Sequence, residues 1–457
     1  MENDSEMKKN RRNFLKTAGA AGLSLGALSN TVASNASEEV PVNPVNGGES
    51  KVAVESDPFA DLMQHDLGLS PDDTAQEAGG TSVIGVYGAW AAGIMGDKIP
   101  SLSFRNSQYK NVEAWRPIAR KAVQSRMGMN NIGGTPNVTV VKQYTYDGLH
   151  IEELSWQLPY GPPTNAIFLK PADAKGPLPA ILGFHDHAGN KYLGTRKITR
   201  TSDNPPQFVI DHQRESYEGT AWANEVAKRG YAVLVPDAFP FGSRRVLLAD
   251  VPERLRNGLN DDDPENPENI KKYNAWAGQH EHIMAKSLFC AGTTWPAVYF
   301  AEDQKALDVL CARKDVDASR IGCAGLSGGG MRTVYMGGLE DRIKCAICVG
   351  FMTTWRDFLL NKSYTHTWMT YTPMLPRELD FPEILALRAP LPTMVLNDID
   401  DPLYTLDGMK RADAIIGEVF AKAKASDKYK CSYYPGPHKF DKAMQQEAFA
   451  WFDKWLK

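Results

Sequence analysis

The sequence predicts an α/β protein with a mostly parallel central sheet, antiparallel strands at its N-terminal edge and helices on both faces. Three observations carry that reading. From residue 179 onward, short continuous apolar runs (PAILGFH, YAVLVPD, RIGCAGLS, IKCAICVGF, PTMVLND) alternate with helical stretches. Such runs are buried on both faces, as parallel strands between helix layers are. Ahead of them NVTVVKQYTY, HIEELSWQL and TNAIFLKPA alternate or run β-branched, divided by Asp147-Gly148 and Gly161-Pro162-Pro163. These read as antiparallel strands joined by turns. The third observation is Gly325-Leu326-Ser327-Gly328-Gly329, a glycine-rich turn set directly between a strand and a helix.

Composition limits the rest. With 457 residues, 42% hydrophobic and 23% charged, the chain can bury a large core without disulfides or metals, and it is not a disordered or collagen-like sequence. A net charge of −4 leaves no basic excess to neutralise a nucleic-acid backbone, so no nucleic-acid partner is expected. The six cysteines, Cys290, Cys311, Cys323, Cys345, Cys348 and Cys431, lie mostly in apolar runs and read as small buried hydrophobes. Cys345 and Cys348 have CxxC spacing, but inside a strand pattern and without a second pair they indicate neither a redox motif nor a zinc ribbon.

Taken in chain order, residues 1–36 have the anatomy of an export signal. Lys8, Lys9, Arg11, Arg12 and Lys16 precede an apolar run from Ala18 to Leu28, and small residues follow. The run is too short to cross a bilayer, and no cysteine follows it, so no stable membrane anchor is expected. The string RRNFLK resembles a twin-arginine signal, with Asn10 where serine or threonine is usual. That resemblance implies export to the periplasm or beyond, with the twin-arginine translocase as a partner. Residues 37–80, rich in Glu, Asp, Pro, Gly and Ser, read as a solvated linker. Residues 81–134 read as a helical extension. Its main helix carries Val112, Trp115, Ile118, Ala119, Ala122 and Met127 at helical spacing, with Asn111 as N-cap and Pro117 as a blemish. The sheet-bearing domain then occupies 135–457. Two stretches depart from strand–helix alternation: 246–298, with its acidic LNDDDPENPEN, and 352–389, with Trp355, Tyr364, His366, Trp368 and Tyr371. Both read as lid-like insertions or pocket walls.

Ser327 is the candidate nucleophile. A serine on a sharp strand-to-helix turn is held above the sheet edge, and Gly325 and Gly329 are small because bulk there would clash. The helix that follows aims N–H groups and its positive end at developing negative charge. A serine needs a base, itself oriented by an acid. The strand PTMVL runs into NDIDDPLY, offering Asp398, Asp400 and Asp401, and YKCSYY ends in PGPHKFD, which puts His438 before the closing helix. Nucleophile, acid and histidine thus follow one another in the order that α/β-hydrolases use.

Residue by residue, the chain from Trp115 to Lys457 resembles α/β-hydrolases of the dienelactone hydrolase and acetylxylan esterase type. RGYAVLVPDAFPFGSRR resembles the group's fourth-strand segment, and KDVDASRIGCAGLSGGGMR its nucleophile turn. FPEILALRAPLP, with Asp380 ahead, resembles the run before the acid strand. The group's acid lies in a G-x-x-D-P-L-like loop, which favours Asp401 through Asp401-Pro402-Leu403. Asp398 replaces the glycine, so Asp400 stays an alternative. Dienelactone hydrolases proper use cysteine, so Ser327 places the chain with the esterases.

The oxyanion donors expected are the Gly328 N–H and one from the loop His185-Asp186-His187-Ala188-Gly189-Asn190-Lys191, contributed by Asp186 or His187. The family often has glycine in that loop. Substrate contacts are expected from His185, Arg245, His366 and Trp368, with Arg244 and Lys191 as further cations within reach. No metal or other cofactor is expected. His185/His187 and His280/His282 have i, i+2 spacing but no third ligand motif. The resemblance implies an exported serine hydrolase that cleaves carboxylic esters, acyl groups on a carbohydrate or a related small ester. Two alternatives remain: a peptidase of prolyl-oligopeptidase type, for whose β-propeller residues 37–134 are too few, and a non-catalytic binding protein on the same fold.

Overall fold

The computed structural model describes residues 82–96 and 98–457. The export-signal and linker readings, 1–36 and 37–80, lie outside the described residues. Two helices come first, α1 (Tyr87–Met95) and α2 (Val112–Met127). The Asn111 side chain caps α2, accepting from the Glu113 and Ala114 N–H groups, and Gly128 closes it in a left-handed conformation. Trp115, Ala119, Val123 and Met127 recur every four residues and enter the main core. Ile118, expected on that face, is 52% exposed. It lies one step round the helix from the buried stripe, and spacing alone does not separate the two rows.

Nine strands form one sheet in the order β1-β2-β3-β5-β4-β6-β7-β8-β9. The first three, β1 (Val138–Tyr146), β2 (Leu149–Trp156) and β3 (Thr164–Pro171), run antiparallel, and β3 pairs antiparallel with β5. All later pairings are parallel, through β4 (Leu178–Phe184), β5 (Ala232–Pro236), β6 (Val316–Leu326), β7 (Ile343–Val349), β8 (Thr393–Asp398) and β9 (Tyr429–Tyr434). This is the α/β-hydrolase fold that the sequence predicts.

The parallel strands read as continuous apolar runs because both their faces are covered. In β5, Ala232 and Leu234 face one core while Val233 and Val235 face the other; in β7, Ala346 and Cys348 oppose Cys345 and Ile347. The CxxC pair is thus split across a buried strand, and all six cysteines are free. Between β4 and β5 stand two helices, α3 (Gln207–Tyr217) and α4 (Trp222–Lys228). Glu218 and Gly219 both take positive φ there and break the helical run. Between β5 and β6 lie α5 (Pro267–Cys290) and α6 (Trp295–Cys311), then α7 (Gly328–Leu339) after β6 and α8 (Phe381–Ala386) after β7. Finally α9 (Leu406–Lys422) and α10 (Lys442–Leu456) follow β8 and β9.

Strand order positions the site. β4 pairs with β5 on one side and β6 on the other, so the loops leaving β4 and β6 diverge beyond their carboxyl ends. That crevice is where open α/β sheets bind ligands.

Candidate active site

Ser327 has φ 58° and ψ −120°, a conformation that L-residues rarely adopt, between the end of β6 and the first turn of α7. Close packing enforces it. A Cβ at Gly325 would stand 2.5 Å from the Phe184 carbonyl oxygen, and one at Gly329 would overlap that same oxygen. The Ser327 N–H donates to Val349 O at 2.9 Å, tying the turn to the end of β7.

The histidine arrives from the far side of that junction. His438 Nδ1 lies 2.6 Å from Asp401 Oδ2, and its ring rests on Gly350, where a Cβ would come within 2.9 Å of Cε1. Asp401 is 4% exposed, and its other oxygen accepts the Leu403 N–H at 2.9 Å. Asp400, by contrast, is exposed and accepts the Gly436 N–H at 2.9 Å, so it braces the loop that carries His438. Asp398 accepts the Lys439 N–H at 3.1 Å. Burial pushes its carboxyl up to about 8 against the opposing charge of His438. Burial pulls His438 down, but the charge and hydrogen bond of Asp401 outweigh it, with smaller contributions from Asp398 and Asp186. The imidazole therefore titrates above its ordinary range.

The loop after β4 packs on the start of α7. A Cβ at Gly328 would lie 3.2 Å from both the N and the Cβ of His187. As the first residue of α7, Gly328 carries one of the N–H groups left without an intrahelical acceptor. The His187 ring accepts the Gly189 N–H at Nδ1 (2.9 Å), so its proton sits on Nε2 and donates to Glu281 Oε1 at 2.7 Å. Lys191 pairs with the same carboxylate. Burial, with the Lys191 charge, pulls His187 down to about 4. Burial pushes Glu281 up, but the Lys191 charge and the hydrogen bonds from His187 and Lys191 overcome it and hold the carboxyl at about 2. The Asp186 side chain turns away from Ser327 into a buried cluster with His212, Tyr217 and Lys197. Asp186 therefore does not line the cleft, whereas His187 does.

Ser327 and Gly328 open into a cleft of about 660 Å3. Both insertions build it. Helix α5 contributes Asn274, Gln279 and Glu281, and the 363–371 segment contributes His366, Trp368 and Tyr371. Trp368 is 40% exposed. His366 is boxed by Phe351, Phe358 and Tyr404, with ring centroids at 5.5, 4.7 and 4.8 Å. Burial holds it neutral, down to about 4, and its Nε2 has no protein partner among the described residues.

Not every expected residue reaches the cleft. Arg245 lies over the Tyr192 ring and donates to Gly242 O. His185 is buried against Phe241, its Nδ1 near Asp186 O at 3.0 Å. Neither lines the cleft. Arg244 is locked to Glu302 and to the Tyr160 and Pro162 carbonyls, a bracing role. His280 stacks on Trp276 and, being on helix α5, points away from His282. Sequence reasoning passed over Lys197, Gly350 and Tyr404. None belongs to a local motif; each acts through a contact with a distant loop.

Comparison with known proteins agrees with this architecture. A model of the prolyl oligopeptidase family matches residues 292–388, from α6 through the Ser327 turn to α8. A Bacillus subtilis protein described as "Putative hydrolase YtaP" is 26% identical over 296 residues, 64% of this chain and 83% of that one. Among solved structures, a Bacteroides fragilis protein described as a "putative acetyl xylan esterase" superposes with a TM-score of 0.55 at 17% identity, over 80% of this chain and 87% of that one. A glucuronoyl esterase from Solibacter usitatus gives 0.52 at 16% identity, over 78% and 97%. At these identities the likeness is one of fold. Among the described residues no helix is long and apolar enough to cross a membrane.

Proposed function

We propose that the chain is a serine hydrolase that cleaves carboxylic esters through an acyl-enzyme, with acylated carbohydrates or related small esters as substrates. The observation that carries this is the His438 Nδ1 to Asp401 contact at 2.6 Å, beside a serine on a strained turn at the floor of an open cleft. In this reading Ser327 attacks the carbonyl while His438 takes its proton and then passes it to the leaving alcohol. Asp401 holds the imidazole tautomer. The Gly328 N–H and a second N–H from the 186–188 backbone receive the oxyanion. Water then attacks the acyl-enzyme with His438 again as base. Trp368 and Tyr371 offer flat apolar faces for a sugar ring. The named esterase activities of the Bacteroides and Solibacter structures support an ester, and specifically a carbohydrate one. The prolyl oligopeptidase match spans the nucleophile turn and its flanking helices, which esterases and peptidases of this fold share. A panel of acetylated sugars, uronic-acid methyl esters, feruloyl esters, p-nitrophenyl esters of graded chain length and a prolyl p-nitroanilide peptide decides between them. Turnover of sugar esters with none of the anilide is expected; preference for the anilide would reverse the assignment.

Export is the second part of the proposal, and it rests on Arg11 and Arg12 ahead of the apolar run. Replacing both with lysine keeps the charge but removes the pair that a twin-arginine receptor reads. The double variant should accumulate in the cytoplasm on fractionation of expressing cells, and unchanged export would point to another route.

A further inference from the structure

Lys197 is fully buried, and its ammonium is spent on backbone: it donates to Asp186 O at 2.8 Å and to His187 O at 2.9 Å. The Asp186 carboxylate, at 3.4 Å, is its nearest counter-charge, and the Phe241 ring lies 4.7 Å away on another side. The same carboxylate receives the Tyr217 hydroxyl and lies 3.1 Å from His212 Nε2, so the anchor is itself held from two sides.

The consequence follows from peptide planarity. In a trans peptide the C=O and the next residue's N–H point in opposite directions. Drawing the Asp186 and His187 carbonyls onto one buried cation therefore turns the N–H groups of His187 and Ala188 away from it. Among the described residues neither N–H takes a protein acceptor. The His187 nitrogen is the one that approaches Gly328, whose own N–H is free of intrahelical bonding. Ala188 and Gly189 both take positive φ (40° and 62°), and the His187 carbonyl also accepts the Asn190 N–H at 3.1 Å. The turn is thus tight, and without glycine at 186–188 its peptide orientation needs an external clamp.

We infer that Lys197 is a positioning residue for the oxyanion site: by clamping the Asp186 and His187 carbonyls, it aims the His187 N–H beside that of Gly328 at the carbonyl oxygen of a substrate attacked by Ser327. The inference rests on the proposed role of Ser327 as nucleophile. It assigns a function to a buried charge in a segment, YLGTRKITR, that carries no motif.

The test uses a fluorophosphonate probe, whose phosphoryl oxygen must enter the same donor pair, so no knowledge of the natural ester is needed. In Lys197→Met the second-order rate of Ser327 labelling should fall about 100-fold, as for loss of one oxyanion donor. The endpoint should remain one label per chain. On the best ester of the panel, kcat should fall with KM nearly unchanged. A merely structural role would lower the endpoint and leave the rate of the surviving fraction intact, and that result overturns the inference. So does a labelling rate within threefold of the parent. Where the single variant fails to fold, Asp186→Asn with Lys197→Met removes both buried charges together and carries the same expectation. If the parent itself is not labelled at Ser327, the nucleophile assignment falls and this inference with it. If the parent is labelled and both variants match it, only the role of Lys197 falls.

Discussion

Ser327→Ala is expected to fold as the parent does and to lose at least about 10⁴-fold in kcat on any ester the parent turns over. The loss is large because the hydroxyl oxygen forms the covalent intermediate; without it Asp401 and His438 have no nucleophile to activate. The fold should survive because the turn depends on the close approach of Gly325 and Gly329 to Phe184 O and on the Ser327 N–H bond to Val349 O, none of which uses the hydroxyl. Residual turnover above the solution rate should remain, since the oxyanion donors and the cleft persist. The measurement is kcat for both proteins on one activated ester, with circular dichroism to compare folding. Parent-like turnover in the alanine variant would remove Ser327 from the mechanism and with it the ester-hydrolase reading.

The parts of the molecule that sequence reasoning reached are those governed by local pattern. β4, β5, β7 and β8 were legible because a strand covered on both faces must be apolar throughout, and the Ser327 turn because the close approach of Phe184 O leaves room only for glycine at 325 and 329. Helix α2 was legible from its cap and spacing, though the side chain of Ile118 was not. What stayed out of reach depends on where loops return. Nothing near Arg245 shows that it will lie over Tyr192 rather than enter the cleft, and nothing near Lys197 shows that the carbonyls eleven and ten residues earlier converge on it. The aromatic box around His366 is likewise assembled from Phe351, Phe358 and Tyr404, the last contributed from beyond β8. Composition announced an aromatic insertion, but only packing decides which ring faces the cleft.

The acid of the triad is the sharpest case, because the candidates are neighbours. Asp400 and Asp401 stand at a turn, closed by the Asp401 N–H on Asp398 O at 3.4 Å, and leave it on different sides. The structure turns Asp401 inward, against Nδ1, and leaves Asp400 on the surface holding the Gly436 N–H. Asp401→Asn should therefore lower kcat by about 10⁴-fold, the loss seen when an amide in this position favours the wrong imidazole tautomer. Asp400→Asn keeps an oxygen for Gly436 and should lose less than about threefold, as a surface change does. The pH profile supplies an independent check on the same pair. His438 must be neutral to accept the serine proton, so kcat/KM falls as the imidazole becomes protonated. Burial opposes that protonation, and Asp401 overrides it, so in the parent the acid limb should lie above the ordinary imidazole value of 6.5. Removing the Asp401 charge leaves burial less opposed, and the limb of the residual activity should move to lower pH; in Asp400→Asn it should stay in place. Asp398 is the remaining carboxyl close to His438, but burial pushes it up to about 8, so it is a weaker source of negative charge than the one lost. A collapse of activity in Asp400→Asn with a parent-like Asp401→Asn would reverse the assignment. An unmoved acid limb in Asp401→Asn would show that this carboxylate is not what sets the basicity of His438.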